Sequence, residues 1–236
     1  MRLPAISRRI LPLLLLFLVD GCNDDPTPTG NGSTTTTTTA PATSARSNLR
    51  GAQFSEDARS VDLLVNGAVI ATGLDYRDVS PYAQFDPGEY RIQFFPEGDR
   101  TVSLIETRLT LGSNQSVTVA IVGESSATIT VNHERSTRSD RARLTMVNAV
   151  PDFPAPFDLG IQNGPGLFGG IHYLQTSGTA ELIPGVYGFE LRRGGTAEEV
   201  ASLTGQAMSA GANYTIYAIG TLSRDNIELV VTRDTF

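Results

Sequence analysis

A chain of 236 residues with 18 basic and 25 acidic side chains carries a formal charge of −7, and every basic residue is arginine. No dense basic patch is present, which argues against nucleic acid as a partner because phosphate neutralisation needs clustered positive charge. A hydrophobic content of 40% with 23 glycines and 13 prolines points to a turn-rich, all-β protein, and a single cysteine rules out an intramolecular disulfide framework.

The first elements in chain order are targeting signals. Arg2, Arg8 and Arg9 precede an apolar stretch from Ile10 to Val19, and small Gly21 stands before Cys22, the three-part pattern of an export signal. The apolar stretch is about half of the roughly 20 residues a spanning helix needs, and Pro12 interrupts it, so cleavage is expected rather than permanent insertion. A lone cysteine placed here resembles the lipobox of bacterial lipoproteins. That resemblance implies cleavage between Gly21 and Cys22 and a diacylglyceryl group on the Cys22 thiol, although Asp20 sits where a small uncharged residue is usual. Two acyl chains, at about 0.8 kcal/mol per buried CH₂, make such an anchor stable. An ordinary secretory signal cut nearby and a noncleaved anchor are the alternatives.

Residues 22–46 read as a tether, with six consecutive threonines at Thr34 to Thr39 and almost no large apolar side chain. Such a composition cannot offset its ordering entropy and predicts a disordered Thr/Pro-rich spacer. As a flexible coil it spans roughly 25 to 30 Å.

Beyond the tether, apolar residues alternate with period two, as at Tyr90, Ile92 and Phe94 or Val117, Val119 and Ile121. This is the signature of strands with one buried face. Strands are expected near 48–54, 60–66, 68–72, 82–85, 90–96, 101–111 and 116–122, with a final one at 127–133. Asn66-Gly67 and Asn163-Gly164 suit tight hairpins requiring positive φ, and Asp86-Pro87-Gly88-Glu89 suits a type II turn.

The second half repeats the first. Asn66/Asn163, Gly73/Gly170, Tyr76/Tyr173, Pro87/Pro184, Tyr90/Tyr187 and Gly123/Gly220 all stand 97 residues apart. TAEEVASL at 196–203 could pass for a short helix but aligns with strand-like TVSLIETRL. Two tandem immunoglobulin-like or transthyretin-like β-sandwich domains follow, at residues 47–135 and 141–236, after a signal peptide at 1–21 and the tether at 22–46.

The segment NAVPDFPAPFDLGIQNG at 148–164 resembles the HASPDAPAVDVYVDG signature of a bacterial family named as domain of unknown function 4397. The resemblance extends to PGVYGFEL and to SAGANYTIYAIG at 209–220, and more weakly to the first copy. It implies an exported or surface β-sandwich, often in tandem, and supplies no catalytic residues. Asn148 replaces the signature's histidine and two extra residues precede Gly164, which favours a structural role for the motif. Pro151, Asp152 and Pro154 read as a rigid loop with a local Asp turn.

No catalytic constellation is apparent. His133 and His172 lie in different copies without metal-ligand spacing, and neither a GxSxG elbow nor a phosphate-cradling loop occurs. Asp62 and Asp158 recur in copies expected to fold separately, which favours strand-end or turn roles. Tyr76, Tyr90, Tyr173 and Tyr187 suit packing with a polar tip bonded near a turn. Arg138, Arg141, Arg143, Arg192 and Arg193 read as solvated linker or strand-edge charges. The expected protein is a noncatalytic cell-envelope lipoprotein without metal or cofactor, displaying two binding or structural modules. Its partners would be the membrane, through Cys22, and an envelope protein or glycan. A carbohydrate-binding or adhesive surface module is the alternative, and an envelope hydrolase a weaker one.

Overall fold

The structure is a computed structural model and describes residues 45–123, 127–133 and 138–235. The signal peptide, Gly21, Cys22 and nearly all of the tether expected from the sequence lie outside the described residues. The first repeat forms β1 (Ser47–Phe54), β2 (Val61–Val65), β3 (Ala68–Leu74), β4 (Ala83–Phe85), β5 (Gly88–Pro96), β6 (Ile105–Leu111), β7 (Ser116–Val122) and β8 (Ala127–His133). The second forms β9 (Ala142–Asn148), β10 (Phe157–Ile161), β11 (Gly166–Ile171), β12 (Thr176–Leu182), β13 (Gly185–Arg193), β14 (Glu199–Met208), β15 (Asn213–Ile219) and β16 (Glu228–Asp234).

These strands build four sheets of four strands, in the orders β3-β2-β5-β6, β4-β1-β7-β8, β12-β9-β15-β16 and β11-β10-β13-β14. In each repeat the first strand pairs parallel with the seventh, β1 with β7 and β9 with β15, while the other pairings are antiparallel. The first sandwich closes over Leu49, Leu63, Ile92, Phe94, Val119 and Ile121, and the second over Leu144, Met146, Phe157, Phe189, Leu191 and Ile216. Gly51 lets β1 cross beneath Leu63, because a Cβ at that position would collide with the Leu63 side chain.

A third core lies between the sandwiches. Ala52, Phe54, Ala120, Val122, Ile129 and Val131 from the first repeat pack on Val147, Ala149, Tyr217 and Ile219 from the second. The four sheets therefore stack as four layers, and β1, β7 and β15 are buried along their whole length on both faces. The copies do not fold as separate bodies, contrary to the sequence expectation, because each presents a second apolar face that alternation alone assigns to solvent.

Local chemistry follows the sequence in most places. Asn66 and Gly67 both take positive φ, at 49° and 83°, and close the β2–β3 hairpin, whereas in the second repeat Asn163 takes positive φ, at 56°, and Gly164 does not. The expected type II turn at Asp86–Glu89 does not form: Gly88 is absent from the positive-φ residues and opens β5 directly after a bend at Pro87. The strand expected from 101 begins only at Ile105, after Asp99 has bonded the Thr101 amide and hydroxyl in a turn. TAEEVASL is strand rather than helix from Glu199 onward.

The recurring aspartates have matching structural tasks. Asp62 accepts hydrogen bonds from the amides of Gly73 (2.9 Å) and Gly98 (3.2 Å) and from Arg100 Nη2 (2.7 Å). Asp158 accepts from the amides of Gly170 (2.7 Å) and Gly195 (2.8 Å). All four glycines hold positive φ, so each carboxylate clamps two turns that only glycine adopts cheaply. Burial works to raise the Asp62 carboxyl, and the two amides and Arg100 outweigh it and hold it below the usual carboxylate value. Tyr90 and Tyr187 donate to the carbonyls of Asp86 (2.7 Å) and Ile183 (2.6 Å), the bonded polar tips expected of them. Tyr76 and Tyr173 instead pack against the core between the sandwiches.

Removing a clamp strands two amide donors in a partly buried setting, at about 1–3 kcal/mol for each unsatisfied group. Asp62→Ala is therefore expected to lower unfolding stability by about 2–4 kcal/mol in a urea titration, whereas Asp86→Ala, at an exposed position, leaves it within about 0.5 kcal/mol.

Candidate functional site

The face between the sandwiches is apolar at one end and polar at the other. At the polar end Arg50 of β1 forms an ion pair with Asp234 of β16, both side chains at most 5% exposed. The same carboxylate lies 3.2 Å from His133 Nδ1 and accepts from Thr215 Oγ1 at 2.8 Å. His133 Nε2 is 2.7 Å from Thr118 Oγ1, which in turn accepts from Arg50 Nε at 2.8 Å. The Tyr82 ring covers the Arg50 guanidinium at 4.4 Å and meets the His133 ring edge-on. Each charged group buried here thus has a partner of opposite charge or a hydrogen bond, which burial of ions demands.

Burial would raise the Asp234 carboxyl, and the hydrogen bond and charge of His133, then Arg50 and Thr215, outweigh it and keep it below its ordinary 3.8. Burial pushes the Tyr217 phenol up to about 12, with Asp234 adding to the rise and Arg50 opposing it. Burial also raises the Tyr82 phenol.

Register relates the two sides. Ser116 pairs with Asn48 and His133, as Asn213 pairs with Arg143 and Asp234. His133 and Asp234 therefore occupy equivalent positions and face each other across the joint. By the same register Thr145 answers to Arg50, and Thr179, the partner of Thr145, stands beside it as the Tyr82 ring stands over Arg50. The first repeat fills its side with a guanidinium and an aromatic ring, and the second has two threonines there. A cleft of about 280 Å³ opens at that place, bordered by His133, Arg143, Thr145, Thr179, Asn213 and Asp234. Strand β12 carries a bulge between Thr176 and Thr179, which shapes the outer wall.

At the apolar end the rim of the joint is closed by surface ion pairs. Arg77 meets Glu228 at 2.6 Å, and Arg224 meets Glu56 at 2.8 Å and Asp57. Exposed pairs of this kind contribute little each. A depression of about 360 Å³ over β10 and β11 is lined by Asp158, whose carboxylate is already occupied by Gly170 and Gly195.

Of the residues marked in the sequence, Cys22 and Gly21 are outside the described part. His133 and His172 are not brought together: His133 is in the joint, while the His172 amide bonds Gln175 Oε1 on an exposed turn. Among the described residues no group of three His, Cys, Asp or Glu side chains could hold a metal ion. Asp152 is not a local turn, since it accepts from the amides of Leu222 (2.7 Å) and Ser223 (2.8 Å), 70 residues along the chain. Asn148, in the place of the signature histidine, donates to the Ile171 carbonyl and accepts from the Val150 amide, a structural role as expected. Arg143, read as a solvated charge, borders the cleft. The Arg50–His133–Asp234 cluster had no sequence signal of its own.

Residues 47–158 match the family described as Domain of unknown function (DUF4397). The match covers the first sandwich and ends in β10, within the signature-like segment, short of the PGVYGFEL and 209–220 segments. No curated protein matches the sequence at a significant level. Among solved structures, the family 26 carbohydrate-binding module CBMbc from Eubacterium rectale Amy13K, in complex with maltoheptaose, is 7% identical, with 81% of this chain and 98% of that one covered at a TM-score of 0.27. The Bacillus anthracis TIE protein is 12% identical, with 75% of this chain and 34% of that one covered at a TM-score of 0.25. A leucine-rich repeat protein from Bacteroides thetaiotaomicron is 11% identical, with 76% and 26% covered at a TM-score of 0.21.

Truncating one member of the buried pair leaves its partner charged and uncompensated. Asp234→Ala is expected to cost about 3–5 kcal/mol, while the double replacement Arg50→Met with Asp234→Leu is expected to be neutral or stabilising by about 1–4 kcal/mol. Denaturant titration of both variants distinguishes these outcomes. Because the folded Asp234 carboxyl binds its proton less readily than the unfolded one, its contribution is complete above the unfolded value and is lost as pH falls through the lower folded value. Asp234→Asn should remove that part of the acid dependence, read as a flatter plot of stability against pH below about 4.

Proposed function

For a chain that carries a DUF4397-like domain, we propose the role of a noncatalytic, lipid-anchored protein of the bacterial cell envelope that displays two joined β-sandwiches for binding or structural work. The observation that carries the anchor is the placement of the only cysteine, Cys22, directly after a short Arg-led apolar segment and Gly21. The Thr-rich residues 22–46 then act as a spacer that holds the sandwiches off the membrane.

The noncatalytic reading is supported by how the hydrogen-bonded carboxylates are used. Asp62 and Asp152 are each held by two backbone amides, and Asp234 is held by Arg50, His133 and Thr215. Hydrogen bonds and charge partners of this kind favour the ionised form, whereas a general acid must hold its proton near neutral pH. The partner on this reading is an envelope protein or a glycan met by the displayed surface.

Growth with an alkyne fatty acid, followed by dye conjugation, is expected to label the wild-type protein and to leave Cys22→Ala unlabelled. Equal label in both proteins would overturn the anchor. Asp20→Ala is expected to raise the fraction processed, read as the ratio of mature to precursor bands.

A further inference from the structure

The two repeats differ at one pair of corresponding turns. Ile183 and Val186 flank the point where β12 gives way to β13, and Asp86 and Glu89 flank the point where β4 gives way to β5. The first repeat thus carries two carboxylates where the second carries two aliphatic side chains, 65% and 72% exposed. The apolar turn is held in shape, since Pro184 stands between them, Tyr187 donates to the Ile183 carbonyl, and Val186 pairs with Ala207 in the β13–β14 ladder. Neither side chain joins any of the three cores, so their surface forgoes the gain that burial would bring.

Register places this turn at the end of the molecule where the chain from Cys22 arrives. Ser47, the first residue of β1, pairs with Phe85, and Arg46 before it meets the Asp86 carboxylate at 3.3 Å. Ala142, the first residue of β9, pairs with Leu182, next to Ile183. Both strand starts lie at one end of the joint. His133, level with Ser116 and Asn48, meets Asp234, level with Asn213 and Arg143. At the other end Glu56, just past β1, accepts from Arg224, just past β15. The chain therefore reaches the sandwiches through Arg46, at the end that bears Ile183 and Val186.

Charge at this end does not oppose lipid. Asp86 has Arg46 as its partner, and Arg138 holds both Asp140 (3.0 Å) and Glu181 (3.2 Å). Two aliphatic side chains hold no protein on a bilayer unaided, since even a myristoyl chain binds only marginally. Beside an anchor they suffice, because a linker turns the second contact into an intramolecular one at high effective concentration. A coil of the tether's length spans roughly 25 to 30 Å, which keeps this end within reach of the surface.

From this arrangement we infer that the β12–β13 turn is a second membrane contact, in which Ile183, Pro184 and Val186 enter the boundary between lipid headgroups and acyl chains. The inference deepens the envelope-anchored reading and rests on acylation of Cys22. It gives the sandwiches an orientation. The opposite end, where Val102 is comparably exposed at 73%, faces away from the bilayer.

The test is fluorescence of the acylated protein, extracted from membranes in detergent and reconstituted in phosphatidylcholine vesicles, with an environment-sensitive thiol probe at Val186→Cys or Val102→Cys. Wild type is the control for dye at Cys22, whose thiol the anchor consumes. Emission from position 186 is expected to shift to the blue and to be quenched by nitroxide-bearing acyl chains, while emission from position 102 stays unquenched. Ile183→Asp is expected to abolish the quenching at position 186 in a protein that still floats with the vesicles. All these positions are exposed, circular dichroism melts report folding, and Ile183→Cys supplies a second probe site should Val186→Cys unfold. An unquenched probe at the turn of a floating protein, equal quenching at position 102, or a blue shift that nitroxide lipid leaves untouched, as a second copy or a protein partner would give, would overturn the proposal. Dye uptake at Cys22 by a wild type that fails to float is a different result, which refutes the anchor and the orientation with it.

Discussion

The burial of both faces of β1, β7 and β15 in the two parallel strand pairs, β1 with β7 and β9 with β15, is the constraint on which the rest of the structure depends. One face of each pair closes its own sandwich, and the other meets the neighbouring repeat. Phe54 against Tyr217, with ring centroids 4.7 Å apart, marks the apolar end of that second interface. Desolvation of such side chains contributes about 25 cal/mol per Å² of apolar surface, so the two repeats gain a third core that neither has alone.

The polar end of the same interface works differently. An ion pair taken out of water gains little net stability over an apolar replacement, because desolvation offsets the attraction. What Arg50, His133 and Asp234 supply is complementarity. His133 and Asp234 stand at equivalent positions, so a joint between two like faces would set carboxylate against carboxylate, or His133 and Arg50 against their own kind. The two repeats share a backbone plan while their facing surfaces differ in charge, and this difference matches first to second. The cleft arises from the same asymmetry, since Arg50 and Tyr82 have small counterparts in Thr145 and Thr179.

Much of the fold was legible because it depends on local rules. Period-two alternation located β5 and β7, and the Asn66-Gly67 pair located a hairpin whose φ values only such residues adopt readily. The repeat was legible because its hairpins keep a spacing of 97. The joint was not legible, partly because that spacing drifts. By register Asn48 answers to Arg143 and His133 to Asp234, so a constant offset pairs Arg50 with Val147 and His133 with Val230 and hides the contact. The Asp86–Glu89 turn misled for a related reason: Pro-Gly is compatible with a type II turn, but pairing of Gly88 with Leu111 in the β5–β6 ladder draws it into extended geometry.

The sequence by itself determined that the chain is all-β, that it is built twice, where most strands run, and that Cys22 is the single cysteine and follows a short apolar segment. Those conclusions rest on composition, on side-chain alternation and on turn residues, all of which act over a few positions. Only the tertiary structure decided that the sandwiches share a core, that Asp234 meets Arg50 across 184 residues of chain, and that Asn213 borders an open cleft. Such contacts depend on which second face each strand presents once the first is covered. A pattern with period two specifies the face that enters a core, but it does not specify what the opposite face will meet.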